Sequence, residues 1–534
     1  MRSVHSVGVV VLAAGMGIRM RSQRPKVTHT VAGRSMLEHV LRAVADIPQS
    51  ALAPSALPYV ITRYLIVVGH EREQVRASLR WTPTDVPFDF VVQQQRLGTG
   101  DAVRAASVAA TASDGLAAPD TVLVLYGDTP LMRAKTLASL LATHAETAAT
   151  LTFLTGMADQ PNEYGRIARD NAGRVTEIIE QRHATPEQLA IQEVNSGVYL
   201  FAADWLWARL DRLAPHPNGE YYLTDLVRLA ADERCVIATV SAPLEETLGV
   251  NDRVQLAEAE RIMRARILRE HMLAGVTIED PTSTYIECDA RIGQDSVIRP
   301  GVSLRGATVI GERCEIGPQS VVRDSQIGDD CAVLASWVEE AIMESGSRVG
   351  PMSHLRPGAR LKSGAYLGNY AEVKNATIGE QVQMHHFSYI GDANVGAGTN
   401  VGAGTITMNY DGRGKHHTEI GQRVFLGSDT LLRAPVTVGD DASTGGGSVV
   451  TRDVPAGQLV VGMPARVIRR VRSTREGGDT ANADPTNGDA AGGNLSSPTE
   501  TPTTPKRINE RLNDSKDHEA PTGAQPDHPP ERAD

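Results

Sequence analysis

An apolar run beginning at Val7 opens into Leu12–Met20, LAAGMGIRM, with Pro25-Lys26 just beyond. A glycine-rich turn between a strand and a helix exposes backbone N–H groups to phosphate oxygens, and Arg19 and Lys26 can add positive charge to the same place. Such a turn also serves tight packing alone. Three later stretches share its polar character: QQQRLGTGDA (Gln93–Ala102), LYGDTPL (Leu125–Leu131), and the segment from Tyr164 to Phe201 that contains YGRI, EIIE and NSGVYLF. Asp128 follows an apolar strand, where open α/β sheets place ligand-binding groups, although by itself it could equally cap a helix or a turn. In the second half of the chain, polar side chains cluster in HLRPGA (His354–Ala359), GNYAEVKNA (Gly368–Ala376), HHFSYIGDA (His385–Ala393) and GAGTITMNYDGRGKHHT (Gly402–Thr418). Imidazole, carboxylate, lysine and arginine together suit proton transfer to or from a substrate that carries an anion.

Two kinds of element must hold these groups. Up to about residue 250, apolar runs such as Val7–Leu12, Tyr64–Val68 and Val122–Leu125 alternate with helical stretches, the pattern of an α/β domain with a mostly parallel sheet. Residues 251–273 are rich in Ala, Leu, Glu and Arg, and they predict a connecting helix capped by Asn251 or Asp252. From Arg291 an aliphatic residue recurs at every sixth position: Ile292, Ile298, Leu304, Ile310, Ile316 and Val322. The beat is re-phased and returns as Val349, Leu355, Leu361, Leu367 and Val373, then as Ile378, Met384 and Ile390, and finally as Ile420, Leu426, Leu432 and Val438. Six residues fit neither a 3.6-residue helix nor a free-standing alternating strand, but they fit a parallel β-helix whose hexad is one short strand plus one corner. The beat breaks between Val401 and Ile420, as expected where a loop leaves the β-helix to build a site. His386 lies off the inward positions Met384 and Ile390.

The chain has 534 residues, more than one core normally serves, and a net charge of −11 with no basic cluster interleaved with aromatics, which argues against nucleic-acid binding. Cys235, Cys288, Cys314 and Cys331 show no metal-binding spacing and predict reduced thiols in the cytoplasm. The run Val7–Ala14 is too short to span a membrane, so a buried strand is expected. Gln49–Pro58 is expected to be a surface loop. The residues from 473 to 534, rich in Gly, Pro, Thr, Asn, Asp and Glu without aromatics, are expected to be a disordered tail.

Together these stretches resemble, over residues 7 to about 455, the bacterial bifunctional family of N-acetylglucosamine-1-phosphate uridylyltransferase joined to glucosamine-1-phosphate N-acetyltransferase. The resemblance implies a Rossmann-like nucleotidyltransferase domain (1–250), a linker helix (251–273) and a left-handed parallel β-helix (274–472) that assembles as a homotrimer. It further implies that Ala14, Gly15, Arg19 and Lys26 handle the UTP phosphates, that Gln93, Gly98 and Thr99 recognise uracil, and that Gly165, Glu180 and Asn195 hold the sugar. Leu12, Ala13, Tyr126 and Gly127 would complete that site, and Asp128 and Asn251 match the two Mg²⁺ ligands. In the second half, Arg356, Lys374, Tyr389, Asn400, Asn409 and Lys415 would bind glucosamine 1-phosphate. His386 would be the general base, oriented by Glu372, and Ala403, Asn409, Tyr410, Ser428 and Gly446 would bind acetyl-CoA. The chain departs from the family pattern at Ile18, where threonine is usual, at Gly446, where alanine is commoner, and in QLVVGMPARVIRRVR (Gln458–Arg472), whose Arg466, Arg469 and Arg470 could meet coenzyme A phosphates. Two other readings are kept: a sugar-1-phosphate nucleotidyltransferase whose hexads only assemble or regulate it, and a non-enzymatic nucleotide-exchange or regulatory subunit.

Overall fold

The computed structural model describes residues 5–47, 59–111, 118–158 and 163–470. The expected loop Gln49–Pro58 and the expected tail 473–534 lie outside the described residues. Seven strands form the main path of the nine-stranded N-terminal sheet: β1 (His5–Ala13), β2 (Tyr59–Val68), β3 (Phe88–Val92), β4 (Thr121–Tyr126), β5 (Leu151–Met157), β6 (Glu193–Ala202) and β7 (Ile237–Ser241). Their order is β7–β5–β6–β4–β1–β2–β3, and every pairing is parallel except the two made by β6. Both faces are covered, as the near-continuous apolar run of β1 requires, because one set of alternating residues (Val7, Val9, Val11) packs on one side and the other (Val10, Leu12) on the opposite side. A hairpin of Arg166–Arg169 and Val175–Ile179 leans on β6.

The predicted connecting helix spans Arg253–Leu273. Asp252 caps it by accepting from Gln255 N, while the Gln255 side chain accepts from Asn251 N at 2.7 Å. This arrangement fixes the Asn251 backbone at the helix entrance and leaves its carboxamide to face the sheet. The hairpin Thr30–Ser35 clasps both this helix and the first coil beyond it: Glu260 accepts from Ala32 N at 2.6 Å, Ala32 O accepts from Cys288 N at 3.0 Å, and Arg34 pairs with Asp289 at 2.6 Å.

From Thr277 onward three parallel sheets form the three faces of a left-handed β-helix. Face one starts at Thr277–Ile278 and has 12 strands, face two starts at Tyr285–Ile286 and has 10, and face three starts at Arg291–Ile292 and has 9. Each strand pairs with the one a full coil later, for example Arg291 with Val309 and Val297 with Glu315. The predicted inward residues are buried in one continuous core, with Ile292 at its margin. The coils begin one turn earlier than the beat was visible, at Ile278 and Ile286. Across the apparent gap after Val322 the inward positions are Ile327, Val333, Val338 and Met343, so the beat is not lost but shortened at some corners. At the second interruption Thr407, 1% exposed, takes the inward position, and the chain then leaves the β-helix after Met408 and returns at Thr418. All four cysteines are free thiols. Among the described residues no helix is long and apolar enough to cross a membrane.

Candidate functional sites

The first site lies at the carboxyl ends of β1 and β4, which are neighbours in the sheet. A cleft of ≈ 460 Å³ opens there, lined by Leu12, Ala13, Ala14, Gly15, Lys26, Gln93, Gly98, Thr99, Tyr126, Asp128 and Glu180, and also by Met16, Val27, Arg96, Ala102, Arg182, Glu220 and Tyr222. Gly127 sits beneath it, donating its N–H to Leu12 O at 2.9 Å. Gly17 has φ of +64°, and a Cβ there would fall 2.7 Å from Lys26 Cβ, so the glycine lets the loop close over Lys26.

Lys26 is the centre of the cleft's electrostatics. Its ammonium donates to Asp128 Oδ2 and, at 3.0 Å, to Asn251 Oδ1. The Asp128 carboxylate therefore caps nothing; it faces the cleft, as Asn251 does. Two hard oxygens converging on one cation is the donor chemistry of a Mg²⁺ site that takes its other ligands from water and substrate phosphates. Among the described residues no cluster of three or more His, Cys, Asp or Glu could hold a metal ion.

Gln93 is 4% exposed; its Nε2 donates to Gly98 O and to Asp101 Oδ2, at 3.1 and 2.7 Å, which leaves the amide oxygen as its acceptor. Thr99 Oγ1 accepts from Leu223 N at 3.0 Å. Burial pushes the Tyr126 phenol well above its usual range, so it stays protonated beside Thr99. Glu180 accepts from Thr224 Oγ1 at 2.9 Å. Asn195 and Gly165 are joined by Asn195 N to Gly165 O at 2.8 Å. Arg19 does not line the cleft; it is exposed and paired with Glu163 at 2.8 Å. Ile18 is 83% exposed and does not line the cleft either.

Sequence reasoning passed over Arg182, Tyr222 and Glu220, which form one wall of the cleft. Arg182 lies over the Tyr222 ring at 4.8 Å and pairs with Glu220 at 3.1 Å. No spacing rule joins Arg182 to a loop so far along the chain; only the tertiary fold does.

The second site lies on the β-helix and has two parts. At the corner between faces one and two, backbone bonds stack successive coils: Asn369 N on His385 O, Gly404 N on Phe387 O, Asp429 N on Ala403 O and Gly447 N on Ser428 O. His386, Ala403, Ser428 and Gly446 thus form one column on successive rungs, about 4.8 Å apart. His386 is exposed, and His385 is engaged edge-on with Tyr366 at 4.7 Å.

The other part lies along face two. In the register His354–Glu372–Tyr389–Ile406, Arg356 and Lys374 point outward from adjacent coils just beyond the inward Leu355 and Val373. Lys415 reaches them from the extruded loop: its positive charge near Lys374 lowers the Lys374 pKa, Arg356 adds to the effect and Asp392 opposes it. Three cations gather there with the carboxylates of Glu372 and Asp392 among them, a set that could hold a substrate anion. Asn409, 7% exposed, donates to Asp392 and, at 3.4 Å, to Tyr389 Oη. Gly391 makes this possible, because a Cβ there would lie 2.2 Å from Tyr389 Oη and 2.8 Å from Asn409 Nδ2.

Two expectations need correcting. Glu372 is not against His386: its carboxylate accepts from Arg356 Nη1 at 2.7 Å, and no hydrogen bond joins it to the imidazole. Glu372 stands on face two opposite Tyr389, whereas His386 is in the preceding corner, so the closer partner is the guanidinium one coil below. Asn400 is on face one, paired with Gln383 and Phe425, so it lies around the corner from the cation cluster. Tyr410 is 62% exposed and forms a bridge with Lys415. Beyond Gly446 the chain closes in a hairpin, Gln458–Gly462 with Ala465–Arg470, which leaves Arg466, Arg469 and Arg470 exposed at the end of face one.

Comparisons with known proteins agree with this division. The nucleotidyl transferase family model matches residues 8–242. A bacterial transferase hexapeptide model of six repeats matches 289–324, and a hexapeptide repeat of succinyl-transferase matches 418–452. The Bifunctional protein GlmU of Nocardia farcinica is 46% identical over 463 residues, 86% of this chain and 90% of that protein. The chain belongs to the GlmU family. Members from Streptomyces avermitilis and from a Geobacillus species are 43% and 42% identical, each over 86% of this chain, covering 92% and 95% of their own lengths. Membership makes the chain a bifunctional transferase with a nucleotidyltransferase half and an acetyltransferase half.

Proposed function

We propose that the protein makes UDP-N-acetylglucosamine in two steps, acetylating glucosamine 1-phosphate from acetyl-CoA and then coupling the product to UTP with release of pyrophosphate. The observation that carries this reading is that one chain holds both a Lys26–Asp128–Asn251 cleft and, on its β-helix, an Arg356–Lys374–Lys415 cluster and an exposed His386.

In the uridylyl step the sugar phosphate attacks the α-phosphate of UTP, and crowded negative charge is the obstacle. Mg²⁺ held by Asp128, Asn251 and the phosphates would supply charge neutralisation. Lys26, displaced from those oxygens, follows the phosphates; the Gln93 amide oxygen accepts from the uracil imide N–H; Glu180, Gly165 and Asn195 seat the sugar. Arg19 supplies charge from the rim.

In the acetyl step the acceptor's phosphate sits on Arg356, Lys374 and Lys415, with Tyr389 and Asn409 beside the sugar. The amine attacks the thioester carbon, His386 takes the proton it sheds, and the thiolate leaves as coenzyme A. Backbone N–H groups near Ala403, with Ser428 and Gly446 on the same column, run where the donor and its oxyanion would lie. Tyr410 and the hairpin arginines border the same region. The stacked coils would assemble three copies with the acetyl-transfer sites between them. Exposed Phe387, Phe425, Tyr370 and Trp337 on the β-helix are consistent with such contacts.

Paired lesions test this reading. Asp128→Ala should cost uridylyl transfer at least 10²-fold and leave acetyl transfer unchanged, while His386→Ala should do the reverse by a similar factor and His385→Ala far less. Loss of both activities from either single change, or equal effects at the two histidines, contradicts the assignment.

A further inference from the structure

The extruded loop 409–417 carries two proposed acceptor ligands, Asn409 and Lys415, and is tied to the β-helix at its ends, through Asn409 to Asp392 and Tyr389 and through His417 to Asn394. Face three shows the size of the insertion, since Ala393 pairs with Thr418, where Arg291 pairs with Val309. A Cβ built at Gly412 or at Gly414 meets nothing within 4 Å, so the tip stands clear of the body. Lys415 lies near both Lys374, which repels it, and Asp392, which attracts it, so where its ammonium sits depends on where the loop carries its backbone.

Among the described residues the Asp411 side chain ties the loop to itself at several points. Asp411 Oδ1 accepts from Arg413 N and from Gly414 N, both at 2.8 Å. Its Oδ2 accepts from His416 Nε2 at 2.7 Å. Asp411 N donates to Gly414 O at 3.3 Å, and His416 N donates to Asn409 O at 2.8 Å. A bridge between Tyr410 and Lys415 completes the closure. These bonds hold the Asp411 carboxyl well below the usual carboxylate range, the Gly414 amide first among the causes, so it remains an anion across the working pH.

We infer that Asp411 is a positioning residue for the phosphate of the acceptor, closing the loop 409–417 so that Lys415 stays beside Lys374 and Arg356. This rests on the acetyltransferase reading above. Asp411 itself touches no group of the cation cluster; it acts through Lys415, while the Asn409 side chain is held separately by Asp392 and Tyr389. Its loss frees Lys415 to swing into solvent, which weakens phosphate binding without removing the base.

The test uses the full chain with Asp411→Ala and Asp411→Asn. Acetyl transfer is measured with glucosamine 1-phosphate and with glucosamine, which lacks the phosphate, and uridylyl transfer reports that the protein is folded. The expected result for Asp411→Ala is a KM for the phosphorylated acceptor raised about tenfold or more, the scale of one lost charge-assisted contact. Its kcat and its KM for acetyl-CoA should change less than about twofold, and kcat/KM for glucosamine should not change. Asp411→Asn, which keeps one acceptor oxygen, should fall between. A second readout is the reaction of Lys374 with an amine-selective ester as a function of pH, followed by mass spectrometry. The parent's Lys374 is expected to react at lower pH than an ordinary lysine, because Lys415 lies near it, and in Asp411→Ala its profile should move up toward the ordinary one. Equal losses with both acceptors, an unchanged KM, or an unmoved Lys374 profile would overturn the inference. A parent protein that acetylates neither acceptor would instead overturn the acetyltransferase reading on which it stands.

Discussion

Gly391 shows how a residue with no side chain shapes the second site. It occupies, one coil on, the outward position that Arg356 and Lys374 hold, and the space it leaves is filled by the Tyr389 hydroxyl and the Asn409 amide. Gly391→Ala should displace both and lower kcat/KM for acetyl transfer on the order of 10²-fold, the cost of a misplacement of about 1 Å, with uridylyl transfer intact; an unchanged acetyl rate would show that neither group needs its place. At this scale the sequence made Lys26, Asp128, Asn251 and His386 legible, because each lies in a short stretch with a chemical reason for its residues. It did not reveal whether Glu372 would face His386 or Arg356. That choice is between neighbours in different coils, set by a register that no local spacing encodes.

At the scale of elements, the hexads were legible only where the corners have a full six residues. From Val322 through Ile327, Val333, Val338 and Met343 to Val349 the spacing mixes five and six, so the inward residues stay buried while the period dissolves. A tight corner with residues at positive φ, such as Asp324, Ala335 and Glu340, absorbs the missing residue. The α/β half was legible through its apolar strands, but two helices there carry a property that periodicity does not express. His39, on helix Met36–Ala45, bonds Val31 O at 2.8 Å, and His144, on helix Ala134–Thr147, bonds Thr152 Oγ1 at 2.9 Å. Burial pushes both down to about 4, from an ordinary 6.5. Because the unfolded chain takes up these protons first, the stability they contribute is intact above about pH 6.5 and is lost as the pH falls from there toward 4, by roughly 3 kcal/mol for each histidine. Thermal unfolding of the N-terminal half should therefore shift to lower temperature between pH 7 and pH 5, and the His39→Gln/His144→Gln variant should flatten that dependence. A parent transition that does not move with pH would refute this account of the two helices.

The whole molecule divides its work along the chain, yet the division is not a clean cut. The hairpin Thr30–Ser35 is clasped by Glu260 of the connecting helix and by Cys288 and Asp289 of the first coil, so the N-terminal half extends its contacts to Asp289. A chain ending at Arg291 keeps that clasp and should remain a folded uridylyltransferase with no acetyl transfer and no trimer, because the stacked coils supply the acetyl site and the proposed assembly surface. Sedimentation and both activities check this; a trimeric short chain would move assembly to the first half. The central claim is that both chemistries belong to one protein, and the most direct measurement is a coupled reaction of the full chain with glucosamine 1-phosphate, acetyl-CoA, UTP and Mg²⁺, following UDP-sugar and free thiol together. The account predicts one thiol released for each UDP-N-acetylglucosamine formed, and no UDP-N-acetylglucosamine when acetyl-CoA is left out. UDP-sugar formed from N-acetylglucosamine 1-phosphate without any thiol release from glucosamine 1-phosphate would contradict it and leave the β-helix as a scaffold alone.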